Sequence, residues 1–243
     1  MFYIKLADLN IKIDNKYPQL EKLCFDYLVA PCSEDFFVSA SDEELNREIA
    51  GSDLKISKAY AESICIYRNI CTCLTNYNAF VFHASVVEYE GRAYAFTAKS
   101  GTGKSTHSLL WLDCFNGSRI INGDKPIIRL KDNKFFVYGT PWCGKEGFNV
   151  NSSAELSAIC FIERNVDNNI TKIDSGEALG RIFNQLLIPK DKKAADKFLY
   201  LLDILLTKMD CYLLHCNISK EAAYIAYKGM NYIKEEGIYE KEE

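Results

Sequence analysis

Residues Ala93 to Ser105 read Ala-Tyr-Ala-Phe-Thr-Ala-Lys-Ser-Gly-Thr-Gly-Lys-Ser, an apolar run passing into a glycine-rich turn that ends in a lysine and a hydroxyl. Those residue types at that spacing bind phosphate. Gly101 and Gly103 let the backbone curl with its N–H groups pointing inward, and the helix that follows adds its N-terminal dipole to the same concavity. Lys104 then reaches the β- and γ-phosphates of a nucleotide, and the Ser105 hydroxyl ligates Mg²⁺. Ala98 stands where the usual pattern opens on glycine, so the match runs from Ser100 through Gly101, Thr102, Gly103, Lys104 and Ser105 to Thr106. Apolar Ala93–Phe96 before the loop and the helically spaced Thr106–Leu112 after it supply the strand-loop-helix setting the motif requires. The alternative is a chance glycine-rich turn.

Two further stretches carry groups able to serve a bound phosphate. Asn122-Gly-Asp124 breaks an apolar run soon after the loop helix, and an aspartate at a strand end there can meet Mg²⁺ or an attacking hydroxyl. Beside Gly123 it can equally be a turn residue. Gly139-Thr-Pro-Trp-Cys-Gly144-Lys145-Glu-Gly147-Phe has the composition of a loop that closes over a ligand with Lys145 exposed. The alternative is a tight connection anchored by Trp142.

The elements that must position these groups follow from periodicity. Phe2–Leu6, Ile11–Ile13 and Phe36–Val38 read as strands, Tyr17 to Leu28 as a helix, and Ser41 to Ser57 as a polar segment without clear boundaries. From Lys58 to about Asn76 the stripe Tyr60, Ile64, Tyr67, Cys71, Leu74 predicts an amphipathic helix, with Glu62 and Arg68 as surface charges. The run from Ala79 to Phe96 predicts a β-hairpin turning at Glu90-Gly91 and feeding the phosphate loop. That departs from the usual phosphate-loop enzyme, in which a helical crossover leads to the loop strand. Downstream, strands are expected at 119–122, around 127–130, and at 135–138, 158–162, 170–173 and 211–215. Helices are expected at 175–187, capped by Ser175, at 194–207, and from Lys220 to about Glu235 before a frayed acidic tail. His107 and His215 read as structural. The fold class is α/β, with a small αβ subdomain over residues 1–76 and a phosphate-loop catalytic domain over 77–243.

With 243 residues, 48% of them apolar, the chain can bury a substantial core. A net charge of -4 with interspersed signs offers no basic face for nucleic acid and no polybasic membrane patch. No apolar run approaches the roughly 20 residues of a membrane helix, and the start lacks a signal-peptide plan, so a cytoplasmic location is expected. The ten cysteines form no Cys-x-x-Cys pair and read as small hydrophobes of a reducing compartment.

The set His83-Ala-Ser-Val-Val, Ser100-Gly-Thr-Gly-Lys-Ser-Thr106, Asn122-Gly-Asp124 and Gly139-Thr-Pro-Trp-Cys-Gly-Lys145 resembles the HPr kinase/phosphorylase family, and more distantly ATP-dependent phosphoenolpyruvate carboxykinase. The resemblance covers roughly Phe80 to the end of the chain. It implies a mixed β-sheet of the HPr kinase and carboxykinase type with flanking helices, and a kinase of serine-type hydroxyls using Mg-ATP. On this resemblance His83 opens the strand before the loop and helps place the phosphate or Asp124. Lys104 is the loop lysine, Ser105 and Asp124 hold the metal, Asp124 accepts or orients the hydroxyl proton, and Lys145 contacts phosphate or substrate. The family has two adjacent aspartates after the loop helix, and here Gly123 takes the place of the first. Because the family's enzymes are oligomers, the resemblance admits a homo-oligomer.

Three functions follow as expectations. The first is a phosphotransferase acting on Ser or Thr of a small protein or peptide, or on a small hydroxylated metabolite. The second is a nucleotide-binding regulatory module with little chemistry, for which Ala98 and Gly123 speak; restoring Asp at position 123 would separate these two. The third, a carboxykinase, needs a substrate-arginine apparatus for which Arg119 and Arg129 are the available residues, and fold similarity alone does not transfer a reaction.

Overall fold

The computed structural model describes residues 1–239, with side chains for all of these except Asn184 and 232–239. The last helix, expected to end near Glu235, runs to Tyr239, and the remainder of the expected tail lies outside the described residues. The chain opens with β1 (Phe2–Leu6) and β2 (Leu9–Asp14), an antiparallel pair turned at Ala7-Asp8, both with positive φ. Next come α1 (Pro18–Leu23), a 3₁₀ turn at Phe25–Tyr27, β3 (Leu28–Val29), β4 (Phe36–Ser39), α2 (Asp42–Ala50) and α3 (Lys58–Leu74). The four strands form one sheet in the order β3-β1-β2-β4.

Several expectations are corrected here. The helix expected over 17–28 stops at Leu23, because Leu28 is drawn into pairing with Ile4. The polar segment 41–57 holds a helix whose signal was present: Ser41 and Glu44 form a reciprocal capping box. On α3 the expected stripe is buried from Tyr67 through Cys71 to Leu74, whereas Tyr60 at its start is 58% exposed, and Ala61, Cys65, Ile66 and Ile70 widen the buried face beyond the stripe. Glu62, expected on the surface, is fully buried and accepts from the Lys16 N–H at 2.5 Å and the Tyr17 N–H at 3.1 Å. It thereby satisfies backbone donors at the entry to α1, which has no side-chain cap of its own.

The larger sheet comprises β5 (Ala79–Val81), β6 (Ser85–Tyr89), β7 (Arg92–Thr97), β8 (Arg119–Asn122), β9 (Ile127–Lys131), β10 (Lys134–Tyr138), β11 (Ser153–Arg164), β12 (Asn169–Ile173) and β13 (Cys211–Cys216). Four helices flank it: α4 (Lys104–Cys114), α5 (Ser175–Ile182), α6 (Lys192–Lys208) and α7 (Lys220–Tyr239). The α/β class with a mixed sheet is thus observed. β11 runs parallel to both β7 and β13, and the β6–β7 hairpin turns at Glu90-Gly91, both with positive φ, as expected. The helix expected over 175–187 ends at Ile182 and is capped by Asp174, not Ser175, through a bond from the Glu177 N–H.

Alternation along the central strands explains the layering. In β7, β11 and β13, Ala93, Ala95, Ile159, Phe161, Cys211 and Leu213 face one core with α5 and α6. Tyr94, Phe96, Ala158, Cys160, Tyr212 and Leu214 face the other, with α4 and α7. Strands buried on both faces read as continuous apolar runs, which is why they were legible but not orientable from sequence.

A candidate phosphoryl-transfer site

Strand register brings the candidate residues to one edge of the sheet. Ser85 pairs with Phe96 and Val86 with Asn122. Because β6 is antiparallel to both β7 and β8, His83, two residues before β6, the loop after β7 (Ala98–Gly103) and the break after β8 (Gly123–Asp124) emerge side by side. β11 is parallel to β7, so its last residue, Arg164, arrives at the same edge. Open α/β sheets bind ligands in this kind of crevice, beyond the carboxyl ends of parallel strands.

His83, Ser100, Gly101, Gly103, Lys104, Ser105, Thr106, Asp124 and Lys145 line a single cleft of about 450 Å³; of the expected site residues only Thr102 lies outside it, in the two clefts that adjoin the loop. Gly101 and Gly103 have φ of +79° and +127°, which side chains with a Cβ rarely adopt, and a Cβ on either would meet nothing within 4 Å. The loop therefore keeps an open concavity by conformation rather than by crowding. Lys104 is buried and donates to the Ala98 carbonyl at 3.0 Å. Burial pulls its pKa down, against the nearby charges of Asp124 and Glu146. Lys145 and Glu146 are exposed at the cleft mouth.

His83 and Asp124 form the core of the arrangement. His83 Nε2 lies 3.1 Å from Asp124 Oδ1, and its Nδ1 lies 2.8 Å from the side-chain oxygen of Gln185. The His83 hydrogen bond holds the Asp124 carboxyl below the ordinary 3.8 and outweighs burial, which acts the other way; Lys125 and Lys104 add to the lowering. Of the two partners expected for His83, phosphate or Asp124, the geometry shows the second. An ionised Asp124 only accepts, so the proton of that contact belongs to His83 Nε2.

The backbone around Asp124 is held by Asn122, which is fully buried. Its side-chain oxygen accepts from the N–H groups of Asp124 (2.9 Å) and Lys125 (2.7 Å), and its amide nitrogen donates to the Thr140 carbonyl (3.0 Å). One side chain thus locks the Asp124 turn to the segment carrying Lys145. Gly144, with φ of +82°, passes directly over Asp124, where a Cβ would sit 3.1 Å from the Asp124 Cβ. The segment carries Lys145 to the cleft, and Trp142 anchors it, as the alternative expects, by donating to Ser63 Oγ at 3.1 Å and packing on Tyr67.

Sequence reasoning missed Arg164, Gln185 and the work done by Asn122. Arg164 donates to the carbonyls of Gly101 (2.5 Å) and Thr102 (2.8 Å), bracing the glycine-rich loop from outside. Gln185 also accepts the His83 N–H through its backbone carbonyl at 2.9 Å. Neither has a sequence signal, since each arrives from a distant element. Asn122 did, because an Asn that bonds the backbone two residues on is a turn signature. His107 is a structural residue, buried against Phe96 and accepting from Trp111 Nε1 at 3.1 Å. Arg119 and Arg129 point elsewhere, the first to Glu88 and the second to the Ala7 carbonyl at 2.5 Å.

Serine and carboxylate oxygens at one cleft suit Mg²⁺, a hard cation that binds through one or two protein oxygens completed by phosphate and water. Among the described residues no group of three or more His, Cys, Asp or Glu gathers that could hold a metal ion. No helix among the described residues is long and apolar enough to cross a membrane.

No protein-family model matches the chain, and a search of curated proteins finds no match. Among solved structures, the Hpr(Ser) kinase/phosphatase from Coxiella burnetii is similar in fold at a TM-score of 0.39 and 9% identity, over 66% of this chain and 98% of that one. No residue role rests on that likeness.

Proposed function

We propose that the chain is a Mg-ATP-dependent phosphotransferase that moves a γ-phosphoryl group to a Ser or Thr hydroxyl of a small protein or peptide, or to a small hydroxylated metabolite. The observation that carries this reading is the convergence of a phosphate loop, its lysine, a second cation and a His-held carboxylate on one cleft. Three cations, Lys104, Lys145 and Arg164, face two carboxylates, Asp124 and Glu146, around that cleft. The balance favours a polyphosphate.

In the transfer, the acceptor oxygen forms a bond to the γ-phosphorus as the bond to the β–γ bridging oxygen breaks, and the hydroxyl proton must leave. The lowered pKa makes Asp124 a weak base, suited to orienting the hydroxyl and taking its proton late, as a loose transition state requires. With Oδ1 held by His83, Oδ2, 3.8 Å from Lys125 Nζ, is the oxygen left for that task and for a share in a bound metal. Loop amides and Lys104 neutralise charge on the phosphates. Ser105 and Asp124 would hold Mg²⁺, which supplies further neutralisation when bound.

The test is melting temperature with and without millimolar Mg-ATP, together with transfer of labelled γ-phosphate, in wild type, Lys104→Ala and Asp124→Asn. Ligand at 100 times its dissociation constant stabilises by about 2.7 kcal/mol, enough for a rise of several degrees. The wild type is expected to show that rise and Lys104→Ala to lose it. Asp124→Asn should keep it while transfer falls by about two to four orders of magnitude. No rise in the wild type would sink the nucleotide site. A rise without transfer would favour a nucleotide-binding regulatory module, a reading supported by the single carboxylate that Gly123 leaves.

A further inference from the structure

On the phosphotransferase reading, we infer that the acceptor is a peptide segment with a bulky apolar residue beside its hydroxyl, and that the amino-terminal part of the chain builds the cleft that receives it. A second cleft, of about 630 Å³, is walled by α1, by the start of α3 and by the segment 141–145. It shares Asp124, Gly144 and Lys145 with the central cleft and no residue of the phosphate loop. The two other clefts that adjoin the central one share loop residues and Arg164 with it, and neither reaches Asp124.

That partition orders the ligands. Attacking and leaving oxygens lie roughly in line across the transferring phosphorus, so the acceptor must come from the side opposite the nucleotide. The glycine-rich loop lines the central cleft, and the cleft walled by α1 and α3 meets that cleft at Asp124, Gly144 and Lys145 with no loop residue between them. An acceptor hydroxyl entering through it meets the carboxylate first.

The chemistry of the walls selects the acceptor class. Leu23 and Tyr60 line this cleft while 42% and 58% exposed, beside Pro141 and Trp142. Its two serines are already engaged, Ser63 Oγ with the Trp142 indole N–H and Ser57 Oγ with the Tyr60 N–H that it caps. A polyol or sugar needs several converging hydrogen-bond partners and a pocket that closes around it. Of the remaining polar lining, Lys125 is engaged with Asp124 and the Tyr67 ring, which leaves Gln19 and Lys145. An open cleft with exposed apolar side chains, these two groups and one carboxylate suits an extended chain presenting a hydroxyl and, beside it, a large apolar side chain.

The experiment uses the full chain, Mg²⁺ and γ-labelled ATP on a synthetic peptide array with one fixed Ser and each flanking position varied, plus glycerol, inositol and free serine. Proteins tested are wild type, Leu23→Glu, Tyr60→Glu and, at the same exposed position without added charge, Tyr60→Ser. The wild type is expected to prefer Leu, Phe or Tyr beside the Ser. Each variant should lower kcat/KM for those peptides by about 10-fold or more through KM, as loss of one pocket contact does, with the Mg-ATP melting shift unchanged. Unaltered peptide preference in all three variants, or transfer to the small hydroxyl compounds and to no peptide, would overturn the inference and leave the phosphotransferase standing. No transfer by the wild type to any acceptor would remove both.

Discussion

Two acidic responses in this part of the chain have opposite origins. Asp124 is ionised below the ordinary 3.8 because His83 favours its charged form; whatever stability this adds is present above 3.8 and is lost only as pH falls through the lower folded value. His107, one turn beyond the phosphate loop, is 2% exposed, and desolvation lowers its pKa from 6.5 to about 4. Between those values the unfolded chain binds a proton that the folded chain refuses, so stability falls as pH drops from 6.5 towards 4. At about 1.4 kcal/mol per pH unit, that span is worth roughly 3 kcal/mol. Denaturant midpoints at pH 7 and pH 4 should show a loss of this order in the wild type and a clearly smaller one in His107→Gln. Equal losses would place the acid sensitivity elsewhere. Accepting at Nε2 from Trp111 fixes the proton of neutral His107 on Nδ1, which has no hydrogen-bond partner in its buried site. The residue is held by packing.

Elements were legible wherever their signals are local. Loop glycines, the Glu90-Gly91 turn, the break at Asp124 and the long apolar strands each announce themselves within a few residues. The buried face of α3, the burial of Glu62 and the reach of Arg164 depend on which distant element arrives, and no local pattern encodes that. Gly123 shows the difference. In sequence it is a missing aspartate, and restoring Asp there is expected to separate an active kinase from a weakened site. In the fold the Gly123 N–H donates to the Phe148 carbonyl at 2.8 Å, and a Cβ would lie 3.2 Å from the Cys143 carbonyl oxygen and 3.4 Å from the Phe148 Cβ. The segment 139–148 is packed against this turn closely enough that a side chain would force it to give by a few tenths of an ångström, and a carboxylate would add its charge next to carbonyl oxygens. Gly123→Asp should therefore destabilise by about 1–3 kcal/mol and lower transfer, in place of the gain that a weakened site would show. A variant of wild-type stability with raised turnover would contradict this account.

At the scale of the whole molecule, α3 joins the two sheets. The cluster beneath the small sheet runs from Ile4, Ile11 and Leu20 through Ile66, Tyr67 and Ile70 to Ala79, Val81, Ile127, Tyr138 and Trp142, so it crosses the 76/77 boundary drawn from sequence. Polar contacts repeat the crossing: Tyr138 donates to Asp8 at 2.8 Å, and Asn151 to the Asp26 carbonyl at 2.7 Å. The segment that carries Lys145 is consequently held by the amino-terminal part of the chain, through Trp142 against Tyr67 (5.2 Å between ring centroids) and Ser63. Trp142→Ala removes a ring that is only 9% exposed and should cost about 3–5 kcal/mol. For a chain of this size that is on the order of 10 °C in melting temperature. Trp142→Phe keeps most of the packing, loses the bond to Ser63 and should cost about 1 kcal/mol. In both, the segment is freed at its far end while Lys104 and its loop are untouched. KM for the acceptor should therefore rise more than KM for ATP, and an equal rise in both would mean that segment and loop move as one body.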